Sequence, residues 1–343
     1  MTSPRTAPTA APSRLSAIDP RGLQPPPLLL VNPHAGQKLG LATNIAGVQA
    51  VEHVLEVVGI RVDVQLTERP KHATELARAA VRGGRKLVIA AGGDGTVAET
   101  GHGLAGSGTV LGIMPLGSIM NTARTLCIPR DLEGAARVIA GGRVLAMDLG
   151  CIRMGAAGAQ REANFLEAGG VGLAAGLFGY FDRLDSGRVR PKGVLRGAVR
   201  FLRGLGTPRL VVEADGRRFQ VRSPMVTVSN GPFVGAAYAL SPEAKIDDGL
   251  LDVVIFREAG VLRVLLHLAL VAGGRRRPAP PRAQVLRVRR ITITTRRRRR
   301  PLPVHADGLA AGATPAEFEV MPAALKVLVG RPPADAGCAW ATG

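Results

Sequence analysis

Between Leu87 and Glu99 the chain passes from a strand into a helix through Gly92-Gly93-Asp94-Gly95-Thr96, and this join constrains the fold more than any other segment. Glycines there let the backbone approach a ligand closely, and the helix start offers unpaired N–H groups to an anion. A carboxylate inside a phosphate cradle repels its ligand unless a divalent metal or a phosphoryl acceptor stands between them. Asp94 in that place points to phosphoryl transfer.

The same alternation extends on both sides. Leu28–Val31 reads as a strand ending in the turn Asn32-Pro33-His34-Ala35-Gly36. A helix is expected from about Leu41 to Val58, a strand over Ile60–Leu66, and a helix over Ala73–Val81. Val110–Met114 then leads into Pro115–Arg124, and Asp131 caps a helix running to Ile139. Strands alternating with helices predict a parallel sheet, with ligands beyond the carboxyl ends of its strands. Past Asp148 the texture changes to strand-like runs joined by turns such as Ala214-Asp215-Gly216, which predicts mainly antiparallel β-structure. The expected organisation is a disordered leader (1–26), an α/β domain (27–147, completed by 315–330), a mainly antiparallel β domain (148–314) and a flexible tail (331–343).

Charge narrows the partners. The 343 residues include 45 Lys+Arg against 26 Asp+Glu, a net +19 that favours nucleic acid, acidic lipid or nucleotide. Aromatic residues make up only 3%, which argues against base-stacking platforms and so against nucleic acid. Cys127, Cys151 and Cys338 form no CxxC pair and no metal-ligand pattern, so reduced thiols are expected. The longest uncharged apolar stretch, Ala168 to Phe181, has 14 residues, short of the ~20 that span a bilayer. The histidines form no HExxH, no GxSxG is present, and no Gly-Lys-Ser/Thr follows the glycine turn.

Five ordered motifs then carry a resemblance: VNPHAG (31–36), GGDGTVAE (92–99), PLGSIMNTAR (115–124), SPEAKIDDGLLDV (241–253) and HADG (305–308). The chain resembles the diacylglycerol kinase catalytic-domain family, which includes bacterial soluble lipid kinases and is related to sphingosine kinases. The resemblance implies an α/β nucleotide-binding domain followed by a mainly antiparallel β-sandwich, with ATP and substrate meeting in the cleft between them. It implies that Asn32, Pro33, His34, Ala35, Gly36, Thr67, Gly92, Gly93, Asp94, Gly95, Thr96, Val97, Ala98 and Ser118 line the ATP site. It makes the Asp248 carboxylate and the backbone carbonyls of Lys245 and Leu250 the ligands of a Mg²⁺ loop, whose bare sequence also reads as an Asp-Asp-Gly hairpin turn. Asp94 and Asp307 are the implied catalytic carboxylates. The implied location is cytoplasmic, peripheral to the inner face of the membrane.

The chain also departs from the family pattern. Ser118 stands where threonine is usual, Ala98 where asparagine is common, and Met120 where many relatives have asparagine. Leu309 matters most, because the bacterial family usually reads Asp-Gly-Glu there and that glutamate is regarded as the base for the lipid hydroxyl. Asp94 would then have to serve as base. Three functions stay open: an ATP- and Mg²⁺-dependent lipid kinase (diacylglycerol- or sphingosine-like), a nucleotide- or lipid-binding protein that has lost the chemistry through Leu309, and a kinase of a soluble hydroxyl substrate. Arg296–Arg300 and Arg275–Arg277 are either solvated loops or contacts with an anionic membrane surface. The helix Val261–Val271 reads as core, and a homodimer is left open.

Overall fold

The computed structural model describes residues 14–35, 37–38, 41–42, 47–155, 161–178, 191–234, 238–272, 283–296 and 301–331. The first half runs β1 (Leu15–Ala17), β2 (Leu28–Val31), β3 (Gln37–Lys38), β4 (Leu41–Ala42), α1 (Val48–Val57), β5 (Asp63–Leu66), α2 (His72–Arg82) and β6 (Leu87–Gly92). It continues with α3 (Asp94–Leu104), β7 (Val110–Pro115), α4 (Asn121–Thr125) and α5 (Leu132–Gly141). The second half holds β8 (Arg143–Met154), β9 (Arg161–Phe165), β10 (Ala168–Gly172), α6 (173–178), α7 (Pro191–Leu205), β11 (Arg209–Ala214), β12 (Arg217–Arg222) and β13 (Met225–Ser229). Then come β14 (Phe233–Val234), β15 (Tyr238–Ala239), β16 (Leu251–Phe256), α8 (Val261–Ala272), β17 (Ala283–Val288), β18 (Arg290–Thr295), β19 (Pro303–Ala306), β20 (Leu309–Ala313) and β21 (Ala316–Leu328).

The first half is α/β, as the alternation predicts. β5, β2, β6 and β7 pair in parallel in that order. β2, β6 and β7 are buried along their whole length, the pattern of strands covered by helices on both faces. Ala73, Ala77 and Ala80 bury one stripe of α2. There α2 and α3 approach so closely that a Cβ on Gly103 would lie 2.6 Å from the Ala77 Cβ and 2.7 Å from the Thr74 carbonyl oxygen. Asp131 does cap α5, accepting from the Gly134 N–H at 2.7 Å. The helix expected from Leu41 starts only at Val48, because Gln37–Lys38 and Leu41–Ala42 pair as a small hairpin.

The other half is a β-sandwich. Its six-stranded sheet, β17-β16-β13-β10-β19-β20, is antiparallel throughout. The opposing layer is the antiparallel end of the large sheet, β12-β11-β18-β21, with β8 and β9 beside it. Val212, Ile291, Ile293 and Phe318 from that layer meet Val226, Val253 and Ile255 in one core.

The two halves share strands. β8 and β21 pair antiparallel almost end to end, and β21 also lies parallel to β7. Phe318 and Val320 enter the sandwich core, whereas Leu325 and Val327 enter the α/β core. The expected boundary at 147/148 therefore falls inside a continuous strand. A register shift between Met321 and Leu325, with Ala323 at φ 52°, re-aims β21 from one core to the other. Fully buried Asp148 holds that point. Its carboxylate accepts from the Ala323 N–H at 2.7 Å and the Gly249 N–H at 2.6 Å, and pairs with Arg14.

Among the cysteines, Cys151 is free and buried. Cys338 lies outside the described residues. No helix among the described residues is long and apolar enough to cross a membrane.

Candidate active site

The three glycine turns converge because they end neighbouring strands β2, β6 and β7. Asn32 follows β2, and its side-chain amide donates to Thr96 Oγ1 at 3.1 Å, tying the first turn to the second. Asn32 Oδ1 accepts from the His34 N–H at 3.0 Å and closes the turn through Pro33, with Ala35 half-buried behind it. Gly36 lies outside the described residues. Thr67 ends β5 and donates its N–H to the Val31 carbonyl at 2.9 Å.

The second turn is the tightest. Gly92 closes β6, and a Cβ there would stand 2.5 Å from the Thr96 side chain. Gly93 precedes α3, and Asp94, Gly95, Thr96, Val97 and Ala98 form its first turns. Gly95 is exposed with open space around its Cα, whereas Thr96, Val97 and Ala98 point inward. The third turn touches the second: a Cβ on Gly117 would lie 2.7 Å from Gly93 Cα. Half-buried Ser118 follows, and Arg130 donates to the carbonyls of Gly117 at 3.1 Å and Ser118 at 2.8 Å. Arg130 lies outside every sequence motif.

Asp94 reaches across to the third turn. Its carboxylate accepts from the Met120 N–H at 2.9 Å and the Thr122 N–H at 3.4 Å. Met120 holds φ 56°, a conformation unfavourable for its side chain that this bond helps to maintain. Asp307 plays the matching part on the sandwich side. Its carboxylate accepts from the N–H groups of Leu166 at 2.8 Å, Glu167 at 2.9 Å and Ala168 at 3.2 Å, and lies 3.7 Å from His102 Nε2 on α3.

Between them stands Glu167, which the motif reading passed over. It accepts from the Thr122 hydroxyl at 2.8 Å and the Asn121 side-chain amide at 3.2 Å. Burial, then the charges of Asp94 and Asp307, push its carboxyl well above the usual range, and the two hydrogen bonds only partly oppose this. Asp94, Thr122, Glu167, Asp307 and His102 thus form one polar chain joining the α/β half to the sandwich. The sequence held one clue, since Glu167 is the charge that bounds the long apolar stretch beginning at Ala168.

The proposed Mg²⁺ loop behaves differently. One Asp248 oxygen pairs with the Arg287 guanidinium, and the other accepts from the Leu250 N–H at 3.0 Å. Asp252 stands beside the same arginine at 3.9 Å, with its carboxyl pushed up to about 6 by burial. Lys245 is exposed, and no group of three or more His, Cys, Asp or Glu among the described residues could hold a metal. The Arg287 guanidinium pairs with the carboxylate that the resemblance gives to the ion, so a cation held by Asp248 and the carbonyls of Lys245 and Leu250 would displace that arginine.

Two family models match the chain. Residues 26–152 match the diacylglycerol kinase catalytic domain, and residues 188–329 match the YegS C-terminal NAD kinase beta sandwich-like domain. The chain thus pairs a segment matching the diacylglycerol kinase catalytic domain with one matching the YegS-type β-sandwich domain. A curated relative named diacylglycerol kinase, from Staphylococcus aureus (strain bovine RF122 / ET3-1), is 26% identical over 272 residues, 77% of this chain and 81% of its own length. The diacylglycerol kinase of Staphylococcus aureus strain JH9 matches to the same extent. A crystal structure of a diacylglycerol kinase from Bacillus anthracis str. Sterne shares the fold, with TM-score 0.63 and 21% identity over 89% of this chain and 97% of that one.

The match to the diacylglycerol kinase catalytic domain supports a kinase. The family's final motif nevertheless ends here in Leu309, the first residue of β20, paired with Ala306 and 51% exposed. Its side chain cannot accept a proton. The carboxylates gathered around Thr122 are therefore the acid–base groups this site offers.

Proposed function

We propose that the chain is a lipid kinase that transfers the γ-phosphate of ATP to the hydroxyl of a diacylglycerol- or sphingosine-like lipid. The observation that carries this is the convergence of the three glycine turns on Asp94 at the amino end of α3, in a chain whose residues 26–152 match the diacylglycerol kinase catalytic domain. Phosphoryl transfer needs mostly positioning and charge neutralisation. The exposed backbone at Gly95 and the N–H groups opening α3 suit phosphate oxygens, and Mg²⁺ arrives as part of the nucleotide substrate.

A membrane-held acceptor suits the surface. Arg196, Arg200 and Arg203 recur at i, i+4 and i+7 on α7, all exposed. On α8 Val264 and His267 are buried, but Leu262 is 78% and Leu266 59% exposed, so the helix expected in the core also presents an apolar edge to water. Basic and apolar exposed groups together fit an anionic bilayer surface. Arg296 is exposed, while 297–300 and 275–277 lie outside the described residues.

The test is transfer of labelled γ-phosphate from MgATP to a panel of diacylglycerols, monoacylglycerols and sphingoid bases in mixed micelles. Labelled lipid that disappears in Asp94→Asn supports the function. Nucleotide binding with no transfer to any lipid, while a family relative is active in parallel, overturns it.

A further inference from the structure

The loss of a carboxylate at position 309 leaves a chemical gap, and the geometry around Thr122 shows which group fills it. Each oxygen of Asp94 and Asp307 already receives N–H donors from a turn, three of them at Asp307. Backbone donors cannot swing aside without unmaking those turns. Glu167 is held differently, by the Thr122 hydroxyl and the Asn121 amide, both of them side-chain groups. A hydroxyl accepts as well as donates, so the Thr122 contact survives whether Glu167 is charged or protonated. Thr122 also gives its N–H to Asp94, which places Glu167 one residue from the carboxylate that organises the nucleotide turns.

We propose that Glu167 is the general base that takes the proton of the acceptor hydroxyl, in place of the carboxylate missing at Leu309. This rests on the kinase function proposed above. In the step, the hydroxyl proton moves to a Glu167 oxygen, and the hydroxyl oxygen uses its freed electron pair to bond the γ-phosphorus. The bond from that phosphorus to the β–γ bridging oxygen breaks, and its electron pair leaves on ADP. Glu167 then returns its proton to solvent.

The surroundings suit such a cycle. Asp94 from α3 and Asp307 from the β19–β20 turn face Glu167 with like charge, His102 of α3 pairs with Asp307, and no cation among the described residues pairs with Glu167 itself. Burial and these neighbours raise its proton affinity, which suits a carboxyl that is to take up a proton.

The deciding experiment measures kcat and KM against pH for the wild type, Glu167→Gln, Leu309→Glu and the double variant, with MgATP and whichever lipid of the panel the wild type phosphorylates. Glu167→Gln is expected to lower kcat by roughly 10²–10⁴-fold, with the KM for ATP within about threefold, and to abolish the acidic limb of the kcat profile. Leu309→Glu in the Glu167→Gln background is expected to restore activity and a new acidic limb. Two results overturn the assignment. One is an unchanged acidic limb in Glu167→Gln; the other is loss of activity together with a lowered melting temperature and no recovery in the double variant, which marks a structural carboxylate. A wild type inactive on every lipid overturns the kinase function, and this assignment with it.

Discussion

At the scale of single residues, what matters is which carboxylates keep free valence. Asp94 and Asp307 are spent on backbone turns, whereas Glu167 is tethered by side chains alone. Asp94 was legible because its glycine partners are its sequence neighbours. Glu167 was not, because Thr122 lies 45 residues away and the Asp307 carboxylate that receives its N–H lies 140 away. His305 shows a second effect of burial. It is enclosed beside Phe178, with ring centroids 5.0 Å apart, and burial lowers it to about 4 from 6.5, only partly opposed by Asp307. The unfolded chain therefore binds a proton between pH 6.5 and 4 that the folded chain refuses. The stability contributed by His305 is complete above about pH 6.5 and is lost as pH falls toward 4. Replacing it by Gln should make the fall in unfolding free energy between pH 7 and 5 shallower, by up to about 2 kcal/mol. Urea titrations of both proteins at the two pH values check this. Asp252 and Glu167, shifted upward, contribute the opposite slope in both proteins and cancel in the difference.

Among the elements, β8 and β21 decide the architecture. The change of texture at Asp148 suggests a domain boundary at 147/148, where the chain continues as one strand. β8 is buried along most of its length with no alternation to mark it, and nothing local tells that its two ends serve different cores. Asp148 marks the crossing, because it alone answers Arg14, the loop at Gly249 and the irregular residue Ala323. Asp148→Asn keeps the shape but removes the charge opposite Arg14 and one acceptor from the two N–H groups. A loss of about 3 kcal/mol is expected, in the range for breaking a buried ion pair. A lower denaturant midpoint at constant m-value would show it, and an unchanged midpoint would mean that the bulge holds without the carboxylate.

For the whole molecule, the net +19 charge, the Arg196–Arg200–Arg203 stripe and the Leu262–Leu266 edge predict binding to anionic vesicles. Leu262→Asp with Leu266→Asp should weaken co-sedimentation with phosphatidylglycerol vesicles by at least tenfold. Raising the salt should weaken the wild type too, because the basic surface supplies the long-range attraction. Equal binding to neutral and anionic vesicles would refute the electrostatic part. Local sequence determined the α/β alternation, the glycine turns and many of the strands, though not β8, β10 or β21, because strand and helix periods, caps and tight turns are set within a few residues. It also showed that Leu309 lacks a proton acceptor. Only the tertiary structure decided that one sheet runs through both halves, that Arg287 holds Asp248, and that Glu167 stands between Asp94 and Asp307. Those facts depend on burial and charge contributed by segments far apart in the chain, and the Gly92–Thr96 turn carries no record of them.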